Sequence, residues 1–320
     1  KGKAVISYSK EPKNKDIKNV IKSCGYNVCS EPSADPKKNL IEIGGILVII
    51  LGFYLLMNKF NLFPDVNISD NMSYGVILFN KNRKIIMVER KDSISYIEFL
   101  RGKYNSIYNI NYIKLLISRF SNEEKIKILK YPFDTLWKLL WIHTETINYR
   151  IKNEYHKSLL LFNKLKEGFI VNTNKISLEQ LISESPNTYD SNEWEIPKGR
   201  RSNKESNKEC AIRECEEETN INRNDFEIIH NILPLTEEYI GINNVCYKHI
   251  YYIGIIKEEK EKELIINQEN KEQYTEIKDI RWFTEIECLE HIRNYNKEKK
   301  KVIESLFYFL DNYEKYGILK

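Results

Sequence analysis

No CxxC pair occurs in these 320 residues, and the six cysteines, at 24, 29, 210, 215, 246 and 288, follow no regular spacing. That pattern excludes a disulfide framework and favours free thiols in a reducing compartment. Excess charge of one sign is also missing. Fifty Lys and Arg stand against 46 Asp and Glu, so net charge selects no partner, whether nucleic acid or membrane. There are no tandem repeats. Glycine (12) and proline (8) are scarce while Asn, Ile, Lys and Tyr abound, a bias expected of AT-rich coding that carries little structural meaning. The length admits one large domain or two ordinary ones.

What is present is concentrated in residues 199–221, GRRSNKESNKECAIRECEEETNI. Gly199 is followed after five residues by Glu205, after seven more by Arg213 and Glu214, and then by Glu217 and Glu218. A helix over 207–219 places Glu214, Glu217 and Glu218 at i, i+3 and i+4, on one face. Three carboxylates held so close repel one another unless hard divalent cations neutralise them. The face therefore reads as a platform for Mg²⁺ or Mn²⁺. Such ions bridge a pyrophosphate and polarise a water for attack on phosphorus. Acidic helix faces are also common as solvated surface, but not with Gly199, Glu205 and Arg213 in register. The segment resembles the Nudix box, G-x5-E-x7-R-E-U-x-E-E-x-G-U, at every charged position. Asn220 replaces the second glycine of the box, and Asn is the next-best residue for the left-handed helix end needed there. Cys215 fills the hydrophobic slot and reads as a small buried residue.

The first 75 residues are of another kind. Residues 43–57 contain no charged side chain, and extension to 63 gives the roughly 20 residues that cross a bilayer. A hydrophobic helix over 41–63 is expected, a candidate membrane anchor through 43–63, with flanking lysines that assign no orientation. Within residues 1–40, AVISYSKEPKNKDIKNVIKSCGYNV resembles the second half of a heavy-metal-associated ferredoxin-like domain. KKNLIEIGGILVIILGFYLLMNKFNLFPDV resembles the segment leading into sulfite-exporter-type membrane proteins. Cys24 and Cys29 form a C-x4-C pair without further ligands, and no catalytic role is expected for residues 1–72.

From Ser73 onward, SYGVILFN and KIIMVERK are β-rich runs joined by the turn residues Asn80–Arg83, which predicts a hairpin. The stretch before the box contains IKLLISRF, IKILKYPFDTLWKLLWIH and HKSLLLFNKLKEGF, with apolar residues at helical spacing. An insertion of four to six helices over 93–190 is expected, interrupting a catalytic domain of 73–320. FEIIHNILPL, VCYKHIYYIGII and DIRWFT read as later strands, and VIESLFYFLDNY as a closing amphipathic helix. The fold class expected is α+β, a Nudix α/β/α sandwich with an inserted all-helical subdomain. YGVILFN, FDTLWKLLWIH, WEIPKGR and CYKHIYYIG together resemble the mRNA-decapping Nudix enzymes of large cytoplasmic DNA viruses. The resemblance covers about residues 73–310. It implies hydrolysis of the 5′ cap of mRNA to m7GDP and 5′-monophosphate RNA, with capped mRNA as partner, in the host cytoplasm.

Glu217 and Glu218, with Glu214, are the expected metal ligands and catalytic carboxylates. Glu205 either holds an outer-shell water or is a plain loop carboxylate. Arg213 pairs with a neighbouring glutamate and fixes its rotamer. Glu276, in TEIKDIRWF, is the candidate for a further ligand or general base by resemblance, with Glu272 second. His249 reads as a structural histidine. A methylated guanine is cationic and favours aromatic faces, so Trp137, Trp141, Phe133 and Tyr96 are candidates, unless they form the insertion's core. Lys152, Lys157, Lys164 and Lys166, with Lys198, Gly199 and Arg200 beside the box, offer a path for RNA. Lys297, Lys299, Lys300 and Lys301 read as a solvated helix start. Two other functions share these motifs: a Nudix pyrophosphohydrolase of a small substrate (dinucleoside polyphosphate, NADH or diphosphoinositol phosphate), and a non-catalytic RNA-binding or membrane protein with a degenerate Nudix fold.

Overall fold

The computed structural model describes residues 71–141, 149–186, 188–261 and 263–312. The expected N-terminal segments, 1–40 and 41–63, lie outside the described residues. Among the described residues no helix is long and apolar enough to cross a membrane.

The chain opens with β1 (Met72–Phe79) and β2 (Ile85–Arg90). There follow α1 (Ile94–Leu100), α2 (Ile110–Ser118), α3 (Asn122–Lys130), α4 (Phe133–Leu140) and α5 (Tyr149–Glu167), a small hairpin of β3 (Phe169–Val171) and β4 (Asn174–Ile176), and α6 (Leu178–Ser183). Next come β5 (Trp194–Glu195), β6 (Lys198–Arg200), α7 (Asn207–Thr219), β7 (Phe226–Ile228), β8 (Leu235–Ile240) and β9 (Cys246–Ile256). The last elements are α8 (Lys271–Glu276), β10 (Ile277–Phe283), α9 (Glu285–His291) and α10 (Lys297–Asn312).

β1 and β2 form the expected hairpin. Its turn is closed by the Asn80 side-chain oxygen, which accepts the backbone N–H groups of Asn82 and Lys84 at 3.0 Å each. Residues on these strands sort by parity. Ile77, Phe79, Ile85 and Met87 enter one core, while Val76, Leu78, Ile86 and Val88 enter the other. Burial on both faces is why the runs read as continuously apolar. β9 pairs parallel to β1, from Met72 opposite Lys248 to Phe79 opposite Ile255. The mixed sheet has the order β10–β2–β1–β9–β7, with β5 on β2, β6 on β1 and β8 on β9. α7 covers one face through Cys210, Ala211 and Cys215. α9 and α10 cover the other through Cys288, Val302, Ile303, Leu306 and Leu310. The result is an α+β sandwich of helix, mixed sheet and helix.

Helices α1–α6 close around their own core, in which Tyr96, Phe99, Phe120, Phe133, Trp137 and Phe162 are buried. One buried carboxylate ties two of them together. Glu124 completes a capping box with Ser121 at the start of α3 and also accepts from the backbone N–H of Ser93, the N-cap of α1, at 2.6 Å. At the far end, Asn192 donates its backbone N–H to Glu89 at 2.9 Å and its side-chain amide to the Lys91 carbonyl at 2.7 Å. These bonds hold the entry and exit of the helical segment together on β2.

Two expectations need correction. The strand β8 was not read from the sequence, because Thr236, Glu237 and Glu238 interrupt any apolar run. Lys299 is not a solvated helix residue. Its side chain is only 6% exposed and turns inward from α10.

Candidate active site

The box folds as a short strand, a loop and a helix, and its patterned residues have separate spatial tasks. Gly199 lies on β6 opposite Tyr74 of β1. A Cβ there would meet the Glu214 carboxylate at 2.1 Å, so only glycine lets the carboxylate lie against the strand. Ser206 caps α7, accepting from the Glu209 N–H at 3.2 Å, and Asn220 ends it in the left-handed region at φ 56°. Arg213 gathers the acids. Its Nε and Nη2 donate to the two oxygens of Glu205 at 3.0 and 2.9 Å, and its Nη1 reaches Glu214 at 2.8 Å and Glu217 at 2.7 Å. Glu205 also accepts the Ser202 N–H at 2.8 Å. With Arg213 foremost among these contacts, Glu205 is held down at about 2. Both of its oxygens are engaged, one by Arg213 alone and the other by Arg213 and the Ser202 N–H, so Glu205 is a partner of Arg213.

Glu218 is buried and accepts the backbone N–H of Lys198 at 3.1 Å. The Lys198 ammonium in turn reaches Glu195, as does the Arg90 guanidinium at 2.6 Å. Arg90, Glu195 and Lys198 line a cleft of about 500 Å³ that runs from the strand entering the box to the first helices of the insertion. Glu237, Tyr239, Tyr247, His249, Glu276 and Lys299 also line it. Tyr239 and Tyr247 stack with ring centroids 5.4 Å apart and planes 19° apart. Glu237 accepts from the Tyr251 hydroxyl at 2.7 Å and lies 3.1 Å from His249 Nδ1. Burial opposes its ionisation, yet Lys299, His249 and Tyr251 hold it down at about 2. His249 is buried and its pKa lowered, chiefly by burial, as suits a structural histidine.

Electrostatics separate the three helix-borne glutamates from ordinary surface acids. Burial pushes Glu214 up to about 7 against the pull of Arg213, and Glu217 and Glu276 add to the rise. Glu217 is raised by burial and by Glu272 and Glu276, again opposed by Arg213. Glu218 is raised well above the carboxylate range by burial, opposed by Lys198 and reinforced by Glu195 and Glu276. Three acids that resist ionising beside one another are a donor set that a hard divalent cation fits, since its charge supplies what they lack. Among the described residues no three such side chains already close around one point. Arg213 bridges Glu214 and Glu217 instead. Glu276 is among the leading charges that raise all three glutamates and also lines the cleft, which favours it as the additional acid of the site.

The aromatic candidates lie elsewhere. Phe133, Trp137 and Tyr96 are 2%, 6% and 1% exposed in the insertion core, and Trp141 packs against the same cluster. The core stripe of the helices has claimed Phe133, Trp137 and Tyr96, which offer no free ring face to a base, whereas Trp141 is only partly buried at its edge. Lys157, Lys164 and Lys166 are exposed on α5, with Lys157 donating to Asn105 at 2.9 Å. The side chain of Lys152 lies outside the described residues. Arg200 is exposed beside the cleft. Sequence reasoning missed Glu195, Lys299, Glu237, Tyr239 and Tyr247. The only sequence signal for any of them was the acidic residue inside WEIPKGR.

Residues 171–306 match the family model of the NUDIX domain. A putative mRNA-decapping protein of Acanthamoeba polyphaga mimivirus is 35% identical over 254 residues, covering 73% of this chain and 68% of the relative. The mRNA-decapping protein g5R of African swine fever virus (isolate Pig/Kenya/KEN-50/1950) is 28% identical over 236 residues, covering 72% of this chain and 90% of the relative. Among solved structures, a C. elegans Ap4A hydrolase binary complex overlaps 75% of this chain and 98% of its own, with 11% identity and a TM-score of 0.35.

Proposed function

This chain belongs to the Nudix family, and from that premise we propose that it removes the 5′ cap of mRNA, releasing m7GDP and 5′-monophosphate RNA with Mg²⁺ or Mn²⁺ as cofactor. The observation that carries the reading is the reach of the likeness to a relative described as an mRNA-decapping protein. It extends over 73% of the chain, well beyond the NUDIX match at 171–306. The proposed setting is the host cytoplasm, where capped mRNA is available.

In this reading Glu214, Glu217 and Glu218 hold the divalent ion, which neutralises the polyphosphate and makes a bound water more acidic. Arg213 keeps Glu214 and Glu217 in place through its bonds to both. Glu276, on the cleft side of these acids, is the proposed general base. Lys198 and Arg200 stand where the substrate phosphates enter. The cationic cap base is proposed to lie against the stacked Tyr239 and Tyr247, replacing the tryptophans of the insertion in that role. The exposed Lys157, Lys164 and Lys166 of α5 are the proposed track for the RNA body. Incubation of the chain with cap-labelled RNA and Mg²⁺ or Mn²⁺, followed by identification of the labelled product, tests the assignment. Release of m7GDP supports it. Release of m7GMP, or no release at all, refutes it.

A further inference from the structure

Three cations close on one buried carboxylate in the wall of the cleft. Arg90 Nη1 donates to Glu195 Oε1 at 2.6 Å, Lys198 Nζ donates to Oε2 at 2.5 Å, and Lys299 Nζ lies 3.7 Å from the same Oε2. The Glu195 side chain is 3% exposed, and those of Lys198 and Lys299 are 10% and 6% exposed. The four residues come from distant parts of the chain, namely β2, β5, β6 and the start of α10. Sharing one carboxylate oxygen, at 2.5 and 3.7 Å, keeps the two ammonium groups on the same small part of the cleft wall. Two like charges in so dry a place would separate or lose a proton without that oxygen between them.

We propose that Glu195 is a positioning residue that holds Lys198 and Lys299 side by side as a paired-ammonium subsite for the substrate polyphosphate. The C-terminal helix α10 thereby takes part in binding. Lys198 adjoins the metal-binding helix, since its own backbone N–H donates to Glu218. The charge of Lys198 also acts on Glu218, so the ammonium pair lies between that glutamate and the cleft that Lys198 and Lys299 line. Arg90 is the fixed member of the group, its Nε also directed at the Asp92 carbonyl at 3.4 Å. The other buried acids on this wall have partners of their own, Glu237 with Tyr251 and His249 and Glu193 with the Tyr295 hydroxyl and the Ile94 N–H, and neither shares the oxygen that joins the two lysines. A simple neutralising role for Glu195 makes the opposite forecast from a positioning role. If Glu195 only offset charge, its removal would make the cleft more attractive to anions. If it positions the pair, its removal weakens anion binding although a negative charge has gone.

The inference rests on the reading of the cleft as a polyphosphate site, and its test is kept apart from cap hydrolysis. Binding of inorganic pyrophosphate to the full chain is measured by calorimetry in EDTA, so that the protein cations alone are read. Lys299→Met should weaken binding about tenfold, the scale of one lost charge-assisted contact. Glu195→Gln should also weaken it. Glu195→Asp keeps the charge but withdraws it from Lys299, and should give an intermediate loss with an unchanged fold. Tighter binding by Glu195→Gln overturns the proposal, as does wild-type affinity in Lys299→Met or Glu195→Asp, or no pyrophosphate binding by the wild type. If Glu195→Gln fails to fold, the other two variants decide. Pyrophosphate binding with these sensitivities, in a chain that does not hydrolyse capped RNA, upholds the subsite and refutes the decapping reading alone.

Discussion

Replacing Gly199 by alanine is a small change with a sharply local consequence. Gly199 does not occupy the positive-φ region, so an alanine meets no backbone strain on β6. The added methyl would lie 2.1 Å from the Glu214 carboxylate carbon and from Oε2, whereas ordinary contacts begin at 3.4 Å. The obstacle is the free end of a side chain, so the carboxylate can retreat and the fold survives. It must move by more than 1 Å, away from its place beside Glu217 and out of reach of Arg213 Nη1, now at 2.8 Å. A displacement of about 1 Å in a catalytic constellation costs roughly 10²-fold in rate. Gly199→Ala is therefore expected to lose about two orders of magnitude in kcat while its melting temperature changes little. Steady-state hydrolysis and a thermal melt on the same preparation give both numbers. An active variant with unchanged kcat would refute the claim that Glu214 works from this position, and a collapse in melting temperature would move Gly199 from the site to the fold.

Glu217→Gln and Glu218→Gln keep side-chain shape but remove a charge from the metal platform. Each should lower kcat by about 10²-fold or more, and near-normal turnover in both would overturn the metal assignment. Changing Lys152, Lys157, Lys164 and Lys166 to Glu should weaken binding of long capped RNA and flatten its salt dependence, with a free cap dinucleotide hydrolysed as before. Equal loss on both substrates would mean that the insertion supports the site directly. Burial holds the Glu124 carboxyl up at about 7 despite the N–H groups it accepts from Ser93 and Ser121. Its folded pKa thus exceeds the ordinary 4.5, so the stability it confers is complete below that value and lost as pH rises through 7. The destabilisation caused by Glu124→Gln, from thermal melts, should be larger at acidic than at neutral pH, and the reverse order would contradict the burial argument.

Much of the site was legible because the box is local. Gly199, Arg213 and the three glutamates are fixed by one loop and one helix, and their spacing alone predicts a shared face. The fold class was legible for a related reason, since strands buried on both faces announce themselves as apolar runs. The cleft was not. Glu195 and Lys299 meet only because β5 joins β2 and α10 packs across the sheet, and nothing in a two-residue strand or a lysine-rich helix start forecasts that meeting. Tyr239 was hidden for the same reason as β8, whose Thr-Glu-Glu run looks like surface although Glu237 is buried against His249 and Tyr251. Trp137 misled in the other direction. A tryptophan with an aromatic neighbour four residues away fits both a base sandwich and a helix core, and the packing of Trp137 against Phe133 of its own helix and Tyr155 of α5 made it core.

The central claim concerns the substrate, and a competition experiment tests it most directly. Capped RNA and a free dinucleoside polyphosphate, differently labelled, are offered together to the wild-type chain with Mg²⁺ or Mn²⁺, and relative kcat/KM is read from product ratios. Decapping predicts a preference for capped RNA, with m7GDP and 5′-monophosphate RNA as products and both lost in Glu218→Gln. Preference for the free dinucleotide, with capped RNA left intact, would contradict it.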